Sequence, residues 1–182
     1  KKLDNFILEN LPKPYIFTIN RLVRRKRLDT LIKSFLKVSN YYPKLKLIIA
    51  GTGPDKKRLL NLIKSLDISK KVLLIGFINE KELYSYLKFS DLIVYPQWGS
   101  WGLVPLEGLY FNKNVIVAND SGCVDLKKFF KSNVFYSDIN DEDLSINIKK
   151  GLLKRPRETR NIVEENFTWI QYFNSINHIF NI

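Results

Sequence analysis

Apolar runs and amphipathic stretches alternate along the chain. Tyr15-Ile16-Phe17-Thr18-Ile19 is a β-rich run that stops at the polar loop Asn20–Arg27. Behind it Leu28, Leu31, Ile32, Phe35 and Leu36 recur at helical spacing, which predicts a helix with one apolar face. Leu45–Ala50 is a second buried strand, stopped by Gly51-Thr52-Gly53-Pro54, and Leu59, Leu62, Ile63 and Leu66 mark the next amphipathic helix. Val72–Ile75 predicts a third strand with Glu80–Phe89 as its helix, and Leu92–Tyr95 a fourth, ending at Pro96. Val104–Tyr110 reads as a short helix with Pro105 in its first turn, where a missing amide proton is harmless. Asn112 is suited to close that helix, because asparagine tolerates the left-handed turn. Val115–Ala118 and Asn133–Tyr136 complete the strands. The stretch Thr168–Ile182 carries Trp169, Phe173, Ile176 and Phe180 on one helical face and predicts a terminal helix.

Strands that are apolar on both faces, alternating with amphipathic helices, indicate a parallel sheet covered on both sides. Right-handed crossovers then give a doubly wound, Rossmann-like α/β domain. Ligands of such folds sit beyond the carboxyl ends of the strands. That geometry singles out the loops Asn20–Arg27, Gly51–Pro54, Gly76–Asn79, Pro96–Val104 and Asn119–Val124.

Composition narrows the class. At 182 residues, 45% hydrophobic, the chain is long enough for one well-buried core and short for two domains. Its apolar runs are too short to cross a bilayer, and no signal peptide opens it. The single cysteine, Cys123, forms no internal disulfide and suits a reducing cytoplasm. With no methionine, the chain reads as a piece of something larger. The net charge of +12 attracts polyanions, and charge alone leaves lipid surfaces, nucleic acid and phosphorylated small molecules open.

Few residues offer chemistry. One histidine and one cysteine, far apart, give no zinc spacing, and His178 on the terminal helix reads as structural. The loop Arg21-Leu22-Val23-Arg24-Arg25-Lys26-Arg27 follows a strand and precedes a helix. Its cations beside free helix amides suit a phosphate, although a solvated basic turn has the same composition. Gly51 and Gly53 permit close backbone approach, or a plain tight turn. Glu107 begins a helix beyond the fourth strand. A carboxylate there accepts hydrogen bonds from a ribose diol, or simply favours the helix amino end.

In order along the chain, these segments resemble the group 1 glycosyltransferases, a retaining family that includes glycogen-synthase-like enzymes and mannosyltransferases. Arg21-Leu22 with Lys26-Arg27-Leu28-Asp29 is similar to the family's Gly-Arg-Leu…Lys segment, and Leu47–Pro54 to its second strand and Gly-rich turn. Val72–Gly76, Glu82-Leu83 and Ser90–Pro96 resemble the next block, and Trp101–Glu107 the Phe-Gly-Leu…Glu signature. Asn166–Trp169 resembles the closing Phe-Ser-Trp. The resemblance implies the carboxyl-terminal, donor-binding half of a two-Rossmann-domain enzyme, with residues 1–14 just after the hinge, the helix of residues 166–182 at its end, and the acceptor-binding domain absent. It implies that Arg21 and Lys26 hold the diphosphate and stabilise charge on the leaving nucleotide, without a metal or other cofactor. Glu107 would bind the ribose, backbone at Gly76, Phe77 and Ile78 would face the base, and Gly51 and Gly53 would shape the site. Amides at Gly102, Leu103 and Val104 would add to the phosphate site. The expected partners are a UDP- or GDP-sugar and a glycan or glycolipid acceptor, at a cytoplasmic location with an anionic membrane face as a further partner, and no nucleic acid.

Three positions depart from the family. Its sugar-reading Glu, eight residues before the ribose Glu, is Gly99 here, with Ser100 the nearest substitute. Its glycine before Arg-Leu is Asn20, and its later Gly-Gly pair is Gly122-Cys123. Two alternatives therefore stand beside the enzyme reading: a nucleotide-sugar-binding domain disabled at Gly99, and a basic nucleic-acid-binding protein. The surplus cations Lys56, Lys57, Arg58, Lys127 and Lys128 are assigned to a solvated surface or a membrane face.

Overall fold

A computed structural model describes residues 11–99 and 101–168. His178 and the aromatic face beginning at Trp169 lie outside the described residues, as do residues 1–10 of the expected post-hinge segment and Ser100. A six-stranded, all-parallel sheet runs in the order β3-β2-β1-β4-β5-β6. Its strands are β1 (Tyr15–Ile19), β2 (Lys46–Ala50), β3 (Val72–Gly76), β4 (Leu92–Tyr95), β5 (Val115–Ala118) and β6 (Val134–Ser137). Between and after them lie α1 (Leu28–Ser39), α2 (Lys56–Ser65), α3 (Glu80–Phe89), α4 (Leu103–Tyr110), α5 (Asp141–Leu153) and α6 (Arg160–Asn166). The doubly wound α/β fold expected from the strand–helix alternation is the one observed.

Both faces of the sheet are buried, each against its own layer. On one face Ile16, Leu47, Ile49 and Val94 meet Leu31 and Phe35 of α1, Leu59 and Ile63 of α2, and Leu144 and Ile148 of α5. On the other Phe17, Ile48, Ile93 and Val117 meet Leu87 of α3, Leu106 and Leu109 of α4, and Phe130, with Val163 and Phe167 packed alongside. Alternate side chains of each strand thus leave to opposite faces, as the period of two requires.

Local signals set the helix ends. Asn79 and Glu82 form a reciprocal capping box at the start of α3, with bonds of 3.0 and 2.8 Å. Asn112 adopts the left-handed conformation after α4 (φ 57°), and its Oδ1 accepts from the amides of Thr159 and Arg160. The apolar pattern alone did not reveal α5, whose first turn is Asp141-Glu142-Asp143. Asn140 caps it, accepting from the amides of Glu142 and Asp143.

Glycines fasten the loops at the carboxyl edge. Leu22 N–H donates to Thr52 O (2.8 Å) and Asp55 N–H to Leu22 O (3.0 Å), so the loops after β1 and β2 lie backbone to backbone. A Cβ on Gly53 would collide with the Leu22 carbonyl, and one on Gly51 with that of Asn20. Gly76, by contrast, has open space and only its φ of +80° to satisfy. Gly53→Ala is therefore expected to cost at least 2 kcal/mol, roughly, because backbone must shift against backbone. Gly76→Ala should cost about 1 kcal/mol, from strain alone. Denaturant unfolding of the two variants checks the ranking, and equal losses would contradict it.

Candidate functional site

The strand order reverses direction between β1 and β4, which are neighbours in the sheet but are connected to strands on opposite sides. The loops leaving their carboxyl ends diverge and leave a crevice where doubly wound sheets bind ligands. Arg21 follows β1 and is exposed. Lys26 closes the 3-10 turn Arg24–Lys26 and is partly buried. Neither has an acceptor among the described residues. Burial, and secondarily the charge of Arg25, hold the Lys26 ammonium below its ordinary pKa. Two cations without partners among the described residues, one of them partly buried, thus stand just beyond the end of β1.

Across the crevice, Gly102 is the N-cap of α4 and Pro105 occupies its first turn. No side chain among the described residues caps this helix, so the amides of Leu103 and Val104 remain as donors and the helix amino end carries partial positive charge. Gly102 is demanded by packing, since a Cβ would overlap the Tyr95 hydroxyl beneath it. Asn20, at the family's glycine position, fits: its backbone is outside the left-handed region and its Nδ2 donates to Thr18 Oγ1 (3.1 Å).

Glu107 stands on α4 without a hydrogen-bond partner among the described residues. It lines a cavity of about 450 Å³ between α3, α4 and α6, with Tyr84, Tyr110, Phe111, Val163 and Phe167. Burial raises its carboxyl pKa, and Glu80 on α3 adds to the shift. Glu80 stands at the start of α3, the helix that follows Gly76, Phe77 and Ile78. Phe77 is 79% exposed, while Ile78 packs on the sheet. Leu103 and Trp101 are exposed at the crevice rim, and Trp101 stacks on Phe167.

Three features here were not read from sequence. Arg27 takes a left-handed backbone (φ 53°) and grips Asp120 with both guanidinium nitrogens (2.8 and 2.5 Å), linking the loops after β1 and β5. The carbonyl of the same Asp120 accepts from Gly99 N–H (3.0 Å). Gly99 has open space around it but a φ of +73°, so a glutamate there would be strained. Third, Gln97, 3% exposed in the loop after β4, has no partner for its Oε1 among the described residues. None of these leaves a motif: two are pairings of distant residues, and one is an ordinary glutamine made costly by burial.

The surplus basic residues are also partly spoken for. Arg58 bridges Asp29 (2.8 Å) and Asp55 (2.6 Å) between α1 and α2, which corrects its assignment to a solvated or membrane-facing surface. Lys128 pairs with Asp125, and Lys127 lies over the Tyr136 ring.

The family model for glycosyl transferases group 1 matches residues 1–168. The chain is 26% identical over 138 residues to an uncharacterised glycosyltransferase of Methanocaldococcus jannaschii, covering 75% of this chain and 35% of that protein. It is 28% identical over 120 residues to the alpha-monoglucosyldiacylglycerol synthase of Acholeplasma laidlawii, covering 65% and 30%. The chain thus spans about a third of the length of these curated relatives. Among solved structures, the C-terminal domain of a group 1 family glycosyl transferase from Francisella tularensis superposes with a TM-score of 0.77. That match has 19% identity and covers 93% of this chain and 94% of the other, so it speaks to the fold.

Two stability measurements probe the site. Glu107 binds its proton more tightly folded than unfolded, so its charge destabilises the fold above its folded pKa, and the penalty disappears as the pH falls below the unfolded pKa. Glu107→Gln should raise the melting temperature at neutral pH, with the gain vanishing in acid; a gain independent of pH would contradict the burial argument. Gln97→Leu removes an unpartnered carbonyl and should stabilise by about 1 kcal/mol. A loss of that size would mean that Oε1 has a partner.

Proposed function

The chain belongs to the group 1 glycosyltransferases, and we propose that it is the domain of such an enzyme that binds a nucleotide-diphosphate-sugar donor. One observation carries this reading. Arg21 and Lys26, without partners among the described residues, stand on one side of the β1–β4 crevice, and the uncapped amides of α4 stand on the other. The carboxylate of Glu107, also without a described partner, lies one turn further along α4 in the cavity against α3 and α6. A nucleoside diphosphate has the complementary groups in the complementary order. Its phosphates meet the cations and the helix amino end. Its ribose diol donates to Glu107, and the base lies toward Gly76, Phe77 and Ile78. Gly51 and Gly53 support the site by letting the loops after β1 and β2 press together.

In this reading Arg21 and Lys26 stabilise the negative charge that builds on the leaving diphosphate as the glycosidic bond breaks. The lowered pKa of Lys26 fits the role, since a diphosphate restores the charge that burial disfavours. The donor is a UDP- or GDP-sugar carrying a hexose such as glucose or mannose, and the acceptor is a glycan or glycolipid. The likeness to an alpha-monoglucosyldiacylglycerol synthase supports the glycolipid class. The acceptor site belongs to an amino-terminal domain beyond this chain, so the isolated domain binds donor but transfers no sugar. A second reading, a donor-binding domain with weakened or lost transfer, is favoured by Gly99: no side chain at that position reaches the sugar, and its backbone disfavours one.

Thermal melting with UDP, GDP, ADP and CMP at millimolar concentration tests the donor site. One nucleotide should raise the melting temperature, and Arg21→Ala or Glu107→Ala should weaken its binding about tenfold or more. A shift that both variants retain would place the nucleotide elsewhere.

A further inference from the structure

Opposite the crevice, the strands of the sheet all begin at one edge, and cations gather along it. Lys13, Lys44, Lys70 and Lys131 each stand shortly before a strand, and all four are exposed. The segment Lys154-Arg155-Pro156-Arg157 extends the row. It is pinned across the starts of β5 and β6 by two buried asparagines. Asn114 Nδ2 donates to the carbonyls of Gly151 (2.8 Å) and Lys154 (2.6 Å), and Asn133 Nδ2 to that of Arg157 (2.9 Å). Lys13 and Lys88 share the ring of Phe89, at 5.1 and 5.2 Å.

Both edges carry cations that form no ion pair with any described residue, Arg21 and Lys26 at the crevice and a longer row at the far edge. Near the crevice Arg27, Arg58 and Lys128 are paired with carboxylates. At the opposite edge Lys13, Lys44, Lys70, Lys131, Arg155 and Arg157 form no ion pair with any described residue. Asp91, one of the few acids there, turns its carboxylate to the Tyr15 amide (2.8 Å). Part of this bias complements the carboxyl ends of α1 to α5, which point this way, whereas α6 runs back from Asn112 toward Trp101. That effect is spent within a helix's last turn, and Lys13, Lys44, Lys70, Lys131, Arg155 and Arg157 lie outside such turns.

Apolar side chains stand among these cations. Leu153 is 75% exposed at the end of α5, and Tyr41 is 70% exposed beyond α1 with the Lys149 ammonium 3.8 Å from its ring centre. We propose that this basic edge docks peripherally on an anionic lipid surface, leaving the crevice open to water on the far side. Lysines on flexible stems attract acidic headgroups while Leu153 and Tyr41 enter the interface. Among the described residues this edge projects neither a helix nor a two-stranded ribbon to enter a nucleic-acid groove. No described helix is long and apolar enough to cross a membrane. The inference is independent of what the crevice binds.

Co-sedimentation with vesicles tests it, comparing phosphatidylcholine alone with phosphatidylcholine containing roughly one-third phosphatidylglycerol. The chain should pellet with the anionic vesicles only and be released at about 0.5 M salt. The variant K154E/R155E/R157E should lose about tenfold or more in binding. Leu153→Ser should weaken binding at unchanged charge. The charge-matched control K56E/K57E/K81E, on the crevice side, should bind as the parent does. Unchanged melting temperatures establish that all three variants fold. Equal loss in both triple variants, no binding at low salt, or displacement of the vesicles by an equimolar DNA duplex would overturn the proposal.

Discussion

The placement of β1 at the middle of a parallel sheet governs what the rest of the molecule can do. With β2 on one side and β4 on the other, the chain must leave β1 and β4 in opposite directions. The crossovers from these two strands run to opposite sides, which leaves a gap between them at the carboxyl edge. Everything of chemical interest follows from that gap. The basic loop after β1 borders it because Leu22 is anchored to the neighbouring loop by backbone hydrogen bonds. The amino end of α4 borders it because Gly102 lets the helix start directly over the Tyr95 ring. The same packing leaves Arg21, Lys26 and the amides of Leu103 and Val104 without partners among the described residues, a cost that a bound anion would offset.

Much of this was legible in the sequence, because the sheet is buried on both faces. Three of the strands, Tyr15–Ile19, Leu92–Tyr95 and Val115–Ala118, have the bounds their apolar runs predict, and α3 runs from Glu80 to Phe89 as expected. Where signal was lost, the cause is identifiable. The acidic start of α5 interrupts its apolar stripe, and the cue was the Asn140 cap. Gly51 and Gly53 suggested room for a ligand, and what they admit is the neighbouring loop. Arg21, Lys26 and Glu107 could be picked out by their positions after strands, but their lack of partners is a tertiary fact. The Arg27–Asp120 grip and the burial of Gln97 depend on contacts between distant residues and have no local pattern.

Charge gives the domain a direction. At the crevice edge, positive and negative side chains interleave and hold loops to one another, as Arg58 does between Asp29 and Asp55. At the other edge Lys13, Lys44, Lys70, Lys131, Arg155 and Arg157 form no ion pair with any described residue. A net charge of +12 looked like one undirected property of the chain, yet its cations face two ways: Arg21 and Lys26 stand at the crevice among paired neighbours, and exposed lysines and arginines line the far edge. The two sets suit different anions: a small, rigid diphosphate for the crevice, and an extended surface for the far edge.

The central claim is that a nucleoside diphosphate binds where β1 and β4 end. Backbone amide spectra of the isotope-labelled chain, titrated with UDP and with GDP, test it residue by residue. The account predicts that one nucleotide shifts the amides of residues 21–26, 76–78 and 102–107 together, leaving those of residues 154–157 in place. Shifts confined to the basic edge, or none in the crevice at saturating nucleotide, would contradict it.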